Sequence, residues 1–385
     1  MSTAQFQEVA HCGFELKVSV QTREGNRGFS LGVSHSAPRP MSVFAVYALP
    51  QGPAVETIQL GGIGQQWNAP PVANCIPVFI GSDTEGRFGH ECPACGSYWR
   101  SAGAGMRWPM SCAYCGQKGR AHSFLTKGQR AYVEAVCDWV NQAMESTEDG
   151  ERTIKLDDIA DQVSKGAERP KFYYVEESQQ NKFVCAACGH WNDILGRFGY
   201  CTSCATWNGF QELERSVAAA REQINTATAW DSSVRELVGT FDSVARQYAK
   251  QLVQRVPLTQ KRRSALERVL FHDLAGRSAD LKEVFDIDLL KGVSPADVAF
   301  ASMMFHRRHI YEHNGGEADE RYLAATGDTS VRLKQVIVET RENAHRLAGL
   351  VVRIGRNLHD GFHELFPADD GPIALERARN TRRKA

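Results

Sequence analysis

Eight of the chain's eleven cysteines fall into four C-x-x-C pairs: Cys92/Cys95, Cys112/Cys115, Cys185/Cys188 and Cys201/Cys204. No other feature constrains the fold as tightly. A C-x-x-C turn presents two thiolates from one knuckle, and two knuckles complete a tetrahedral metal site. Sixteen residues separate the first two pairs and 12 the last two, so each set of four is locally complete. Pairing interleaved between the two sets stays open at this point. Gly96, Gly116 and Gly189 directly follow a knuckle, where the tight turn favours glycine. Paired knuckles read as metal ligands in a reducing compartment rather than as disulfides. A closed four-thiolate site has no open coordination position, so two structural Zn²⁺ ions are expected and no metal catalysis. Cys12, Cys75 and Cys137 stand alone and read as ordinary buried thiols.

Composition enters to set the scale. A chain of 385 residues that is 42% hydrophobic and 23% charged has room for two or three cores and is not mostly disordered. No run approaches the roughly 18 apolar residues of a membrane span. The opening MSTAQFQEVAHCGFELK lacks a basic-then-apolar leader pattern. A soluble, cytoplasmic protein with no membrane role is expected. Forty-five basic residues balance 45 acidic ones. That neutrality, with no recognisable helix-turn-helix, speaks against a DNA-binding regulator.

The expected architecture is multidomain α+β. Residues 1–85 read as a small β-domain, with FELKVSVQ, GFSLGVSH, SVFAVYAL, VETIQL and IPVFIG as strands between Gly/Pro/Asn-bearing breaks. Both cysteine spacings are those of zinc ribbons, placed at 86–125 and 171–210. Connecting helices fill 126–170, with helices at Lys127–Met144 and Leu156–Val163 and an exposed loop over ESTEDGERT between them. The short strings RFGHEC and RFGYC suggest a repeated unit. Residues 171–184 look extended. An all-α domain is expected over 211–366, with helices at 211–228, 232–254, 260–273, near 279–290, 295–313 and 331–365, and a mobile basic tail over 367–385.

Residues 86–130 hold Arg87, Arg100, Arg107, Lys118, Arg120, Lys127 and Arg130 against one acid, Glu91. Phe88, Tyr98, Trp99, Trp108, Tyr114 and Phe124 are interleaved with them. Cations for phosphates and rings for bases are the footprint of a single-strand nucleic-acid site. Arg100, Arg107, Lys118 and Arg120 are its candidate contacts. In the competing reading the rings fill the ribbon's core and the charges solvate it.

In the helical half, SPADVAFASMMFHRRHIYEHNGG predicts a helix over 295–313. Ser294 caps it, Pro295 suits its first turn, and Asn314-Gly315-Gly316 ends it. At about 100° per residue, His306, His309 and His313 share one stripe with Ala299 and Ser302. Arg308-His309-Ile310-Tyr311-Glu312-His313 resembles the R-x4–6-H signature of HEPN domains, including the polar residue after the arginine. The surrounding R-H-x-x-x-H-N-G-G, D-x-x-Y-L and T-G-D pattern is similar to one bacterial HEPN-like group. The resemblance covers roughly residues 230–365.

The resemblance implies a helical bundle that forms a homodimer with a composite, metal-independent ribonuclease site, an endoribonuclease of the anti-phage defence (antiviral) or toxin type. Carried over, Arg308 stabilises charge on the scissile phosphate and His313 is the general acid/base. His309 orients the phosphate or the other histidine. The ribbons then recruit RNA or a protein partner, which the β-domain also has room to dock. Two readings compete. One is a non-enzymatic zinc-ribbon scaffold for nucleic acid or protein, whose HEPN-like domain only dimerises. The other is an i,i+4 metal pair at His309/His313, with only Glu312 or Glu317 as a third ligand. For Asp319, Tyr322 and Asp328, capping and packing are expected rather than chemistry. On an ideal helix Arg308 and His313 lie about 140° apart. A shared site needs fraying at Asn314, a wrapped arginine, or a second chain.

Overall fold

The computed structural model describes residues 6–8, 13–35, 43–60, 73–82, 86–102, 109–163, 174–176, 180–267, 271 and 273–384. It divides into two compact units, Met1–Thr206 with Asp369–Ala385, and Trp207–Ala368. The chain is mixed α/β, with small sheets in the first unit and helices throughout the second.

The first unit opens with β1 (Phe6–Glu8), β2 (Phe14–Arg23), β3 (Asn26–His35), β4 (Val43–Ala48), β5 (Ala54–Leu60) and β6 (Ile76–Gly81). In β2, Phe14, Leu16, Val18 and Val20 are buried at period two, the signature of a strand with one face on a core. Strand β4 lies between β5 and β6, and β6 is buried along its whole length. Next come β7 (Phe88–Glu91), β8 (Tyr98–Ser101), β9 (Met110–Ser111), β10 (Lys118–Gly119), α1 (Lys127–Met144), β11 (Gly150–Lys155) and α2 (Leu156–Val163).

Helix α1 starts where its sequence dictates. Thr126 accepts from the Gln129 backbone N–H while the Gln129 side chain accepts from the Thr126 N–H, a reciprocal cap worth about 1 kcal/mol. Its face of Tyr132, Val133, Val136, Cys137, Val140 and Ala143 packs with Leu156, Ile159 and Ala160 of α2 into the same core as β2, β4 and β6. The expected connecting helices are therefore part of the N-terminal core. The expected ESTEDGERT loop ends in a strand instead: β11 pairs antiparallel with β2, Ile154 opposite Leu16. Asp149 leads in by accepting from the Thr22 backbone and hydroxyl. One half-buried apolar residue in a six-residue edge strand leaves no alternation to read. Cys75 and Cys137 are buried in this core; Cys12 lies outside the described residues.

The unit closes with β12 (Tyr174–Glu176), β13 (Gln180–Val184) and β14 (Trp191–Leu195). Strand β12 pairs with β1, and a four-stranded sheet runs in the order β13-β14-β8-β7.

The second unit contains α3 (Gly209–Thr226), α4 (Asp231–Arg255), α5 (Gln260–Glu267), α6 (Leu274–Phe285), α7 (Pro295–His313), α8 (Glu320–Thr326) and α9 (Arg341–Leu365). Leu213 and Val217 of α3, Phe241 and Leu252 of α4, and Val351, Ile354 and Leu358 of α9 are buried. Gly355 lets α3 and α9 approach: a Cβ there would collide with Leu213. Phe305 brings α7 edge-on to Phe241.

Two expectations shift here. Residues 331–340 are not helical; they form a strap bonded to the loop after α7, with Ala318 N–H donating to Gln335 and Ile337 N–H to Gly316. Thr340 caps the true start of α9. Residues 370–384, expected as part of a mobile tail, form α10 (Asp370–Lys384), which belongs to the first unit. Its Ile373 packs on the second cysteine set.

Candidate functional site

Four knuckles share one hydrogen-bond pattern. Each first cysteine accepts at its carbonyl from the residue four positions on: Gly96 to Cys92, Gly116 to Cys112, Gly189 to Cys185 and Ala205 to Cys201, at 2.8–3.1 Å. Each also donates its N–H five positions on, to Ser97, Gln117, His190 and Thr206. The fourth position is left-handed every time, with φ of 68°, 69°, 68° and 60°. Three glycines meet that demand without strain; Ala205 meets it at a cost of about 1–2 kcal/mol.

Within each set all four Sγ atoms lie within 4.8 Å of one another. Cys92–Cys115 and Cys95–Cys112 are 3.7 Å apart, Cys185–Cys204 3.7 Å, and Cys188–Cys201 3.5 Å. A tetrahedral ion with metal–sulfur bonds of about 2.3 Å places its sulfurs about 3.8 Å apart. The donor sets therefore fit two closed, structural metal sites, each made from its own module. They differ in cover. The second set is buried throughout, whereas Cys95 of the first is exposed and Cys115 half-buried. Neighbours orient the sulfurs: Tyr114 N–H reaches Cys112 Sγ at 3.4 Å, and Asn192 Nδ2 reaches Cys201 Sγ at 3.7 Å. Cys115 is held down to about 5, first by its hydrogen bond with Cys112.

Of the proposed nucleic-acid contacts, Arg100 is placed against expectation. Arg100 is fully buried, its Nε and terminal nitrogen both 2.7 Å from Asp193. Lys118 is exposed but paired with Asp369 at 2.7 Å, and Arg120 with Glu56 at 2.8 Å. Arg107 and Trp108 lie outside the described residues. Phe88, Trp99 and Phe124 are buried, and Trp99 meets Phe124 edge-on. These three rings are core, Tyr98 and Tyr114 are half-buried, and Arg100 cannot reach a phosphate. The RFG strings sit at non-equivalent places in the two modules: Arg87–Gly89 precedes the first knuckle of its module, while Arg197–Gly199 precedes the last knuckle of the other.

At the far end of α7, His309 and His313 are exposed, their rings 4.7 Å apart. Arg308 lies partly exposed and pairs with Glu312 one turn on, at 2.6 Å. His306, half-buried, faces Asp273, Arg321 and His309, and burial lowers its pKa. Among the described residues the only groups of three or more potential ligands within metal-binding distance are the two cysteine sets. His309 and His313 do not gather a third.

Arg307, beside the signature arginine, takes the buried role. It donates to Tyr322 Oη at 3.0 Å, Asp328 at 2.9 Å and Glu339 at 3.1 Å. Tyr322 donates to Asp328 and Tyr311 to Glu339. Burial opposes ionisation of Asp328, but hydrogen bonds from Ser330, Tyr322 and Arg307 hold it well below the usual carboxylate range. Tyr322 is pushed up to about 12, first by burial and then by Asp328. Asp319 caps α8 through the Tyr322 N–H and accepts from Asn314. Tyr322 and Asp328 of the D-x-x-Y-L and T-G-D strings thus meet the strap's Glu339 on Arg307 of α7. Sequence reasoning missed Arg307 and Glu339; the only signal was an arginine on an otherwise apolar face. A cleft of about 430 Å³ opens beside this end of α7, lined by Trp230, Tyr311, Gly315, Gly316, Val338 and Glu339 among others.

No protein-family model, curated protein or solved structure matches the chain. Among the described residues no helix is long and apolar enough to cross a membrane.

Proposed function

We propose that the chain is a HEPN-like, metal-independent endoribonuclease of the defence or toxin type, working as a homodimer in the cytoplasm, with zinc in its two four-cysteine centres for structure. The observation that carries the catalytic reading is the exposed His309/His313 pair beside Arg308 at the free end of α7. His313 takes the 2′-hydroxyl proton as O2′ attacks phosphorus. The phosphorus–O5′ bond breaks, and a second imidazole of the dimer protonates the leaving oxygen. Arg308 neutralises the charge that develops on the phosphate, and His309 orients it. The Arg308–Glu312 pair does not prevent this. A surface ion pair is worth about 0–1 kcal/mol, so a phosphate displaces Glu312 at little cost. Zinc is the assignment that suits four thiolates at tetrahedral spacing. With Arg100 buried against Asp193, RNA contact is assigned to the α7 face, and the ribbons serve as a structural or partner-docking module.

One observation favours a second reading. Glu312 holds Arg308, as it would in a non-enzymatic scaffold whose helical unit only dimerises. Cleavage of a labelled structured RNA separates the two, using zinc-replete protein in EDTA-containing buffer. The nuclease reading expects cutting by wild type and a loss of about 100-fold or more in His313→Ala. A folded wild type that does not cut, or a His313→Ala variant that cuts equally well, moves the assignment to the scaffold.

A further inference from the structure

The two cysteine modules are joined in a way their separate spacings do not disclose. Strand β8 follows the first knuckle of one module and β14 the first knuckle of the other, and the two pair antiparallel. The register is self-complementary. Cys92 and Cys185 are 93 positions apart, and so are Arg100 and Asp193, which face each other across the pairing. The second knuckles repeat the relation. Ser111, before Cys112, donates its N–H to Thr202 after Cys201 at 2.9 Å, and Tyr200, before Cys201, donates to Ala113 after Cys112 at 2.7 Å. Each module therefore does to the other what the other does to it, as in an isologous dimer built into one chain.

At the centre of this local two-fold sits the Arg100–Asp193 pair, both side chains fully buried. Breaking one partner of such a pair is far more costly than forming it is favourable. Two further links run between the metal centres. Ser111 N–H bonds Thr202, whose own N–H bonds Asn192 Oδ1, and Asn192 Nδ2 reaches Cys201 Sγ. Tyr114, between Cys112 and Cys115, donates to Tyr98 of β8 and accepts from Leu195 of β14. A ribbon without its metal has little apolar core to hold it, because metal binding supplies the folding free energy of such modules. Loss of one ion removes the surface against which the other knuckles are hydrogen-bonded.

We infer that the two four-cysteine centres form one pseudo-two-fold unit that binds its two soft divalent ions cooperatively, with the exposed first centre as the point of entry and loss. The inference rests on the zinc part of the proposed function and is independent of the nuclease part. Native mass spectrometry of the full zinc-loaded chain, titrated with a zinc chelator, reads it directly. For two equal independent sites, singly loaded chains reach half the population at the midpoint. Tenfold coupling, within the usual range for linked sites, holds them to about a quarter.

Unequal affinities would blur that figure, so a variant decides. Cys112→Ser destroys the first centre and leaves all four ligands of the second. Coupling predicts that the second centre's zinc affinity, measured by chelator competition, falls at least tenfold. The helical unit's thermal transition, scored in the same sample, shows that the chain is otherwise folded. One zinc kept at wild-type affinity would overturn the inference while leaving zinc binding intact. Wild type that binds no zinc would overturn both the inference and the zinc assignment.

Discussion

Replacing Arg307 by methionine tests whether the buried network fastens the strap to α7. The guanidinium is 7% exposed, and its partners Asp328 and Glu339 are 5% and 0% exposed. Arg307→Met keeps the unbranched stem and removes the charge, so it leaves two buried carboxylates without their cation. Removing one partner of a buried pair costs about 3–5 kcal/mol. At about 2–4 °C per kcal/mol for a unit of this size, the helical unit should melt about 10 °C lower at neutral pH. The pH dependence gives a sharper signature. In wild type the folded-state pKa of Asp328 is depressed, so its contribution is complete above the unfolded value of about 3.9 and is lost as pH falls below it. In the variant Asp328 loses the Arg307 hydrogen bond but keeps those from Ser330 and Tyr322, so its pKa returns only part of the way towards the usual carboxylate range. The deficit should therefore stay constant from pH 7.5 down to about pH 4 and narrow below it, through the carboxylate range. Thermal unfolding of the full chain by circular dichroism at several pH values measures both. A shift under about 2 °C, or a deficit that does not narrow below about pH 4, would refute the reasoning.

Two smaller perturbations follow from the same geometry. His359 is buried with its Nδ1 2.8 Å from the Tyr248 hydroxyl, and burial first, then His363, pushes its pKa down to about 3. Its contribution is complete above about pH 6.5 and is lost as pH falls towards 3, by up to about 1.4 kcal/mol per pH unit. Urea unfolding at pH 7 and pH 5 should show His359→Phe losing less stability on acidification than wild type; equal losses would contradict the assignment. Ala205 occupies a left-handed position that its three counterparts fill with glycine. Ala205→Gly should raise stability by about 0.5–1 kcal/mol once the extra chain entropy is subtracted, read as a later midpoint in chelator-driven unfolding.

What the sequence disclosed and what it hid follow from the range of the interactions involved. The cysteine sets were legible because ligand spacing is local and tetrahedral geometry leaves few alternatives. Helix α1 was legible because its apolar residues recur at helical spacing, a pattern local to the segment. The ends of α7 were legible because Ser294 and Asn314 sit where caps belong. Arg100 read as a phosphate contact because its partner, Asp193, is 93 residues away. Arg307 and Arg308 are adjacent, yet one is buried and the other only partly. No periodicity distinguishes them, since Arg307's carboxylates lie 21 and 32 residues on. The strap over 331–340 looked like the start of α9 because its apolar residues have helical spacing. Its backbone is held instead by the loop after α7, a tertiary choice that local pattern does not encode.

The central claim is that imidazole and guanidinium groups on α7, with no metal, carry out phosphoryl transfer through the RNA's own 2′-hydroxyl. Mass spectrometry of the RNA ends made by wild-type protein in EDTA-containing buffer tests it most directly. The account predicts 2′,3′-cyclic phosphate on one fragment and a 5′-hydroxyl on the other. Fragments carrying 3′-hydroxyl and 5′-phosphate ends would contradict it, because those ends require an external water rather than O2′ as the nucleophile.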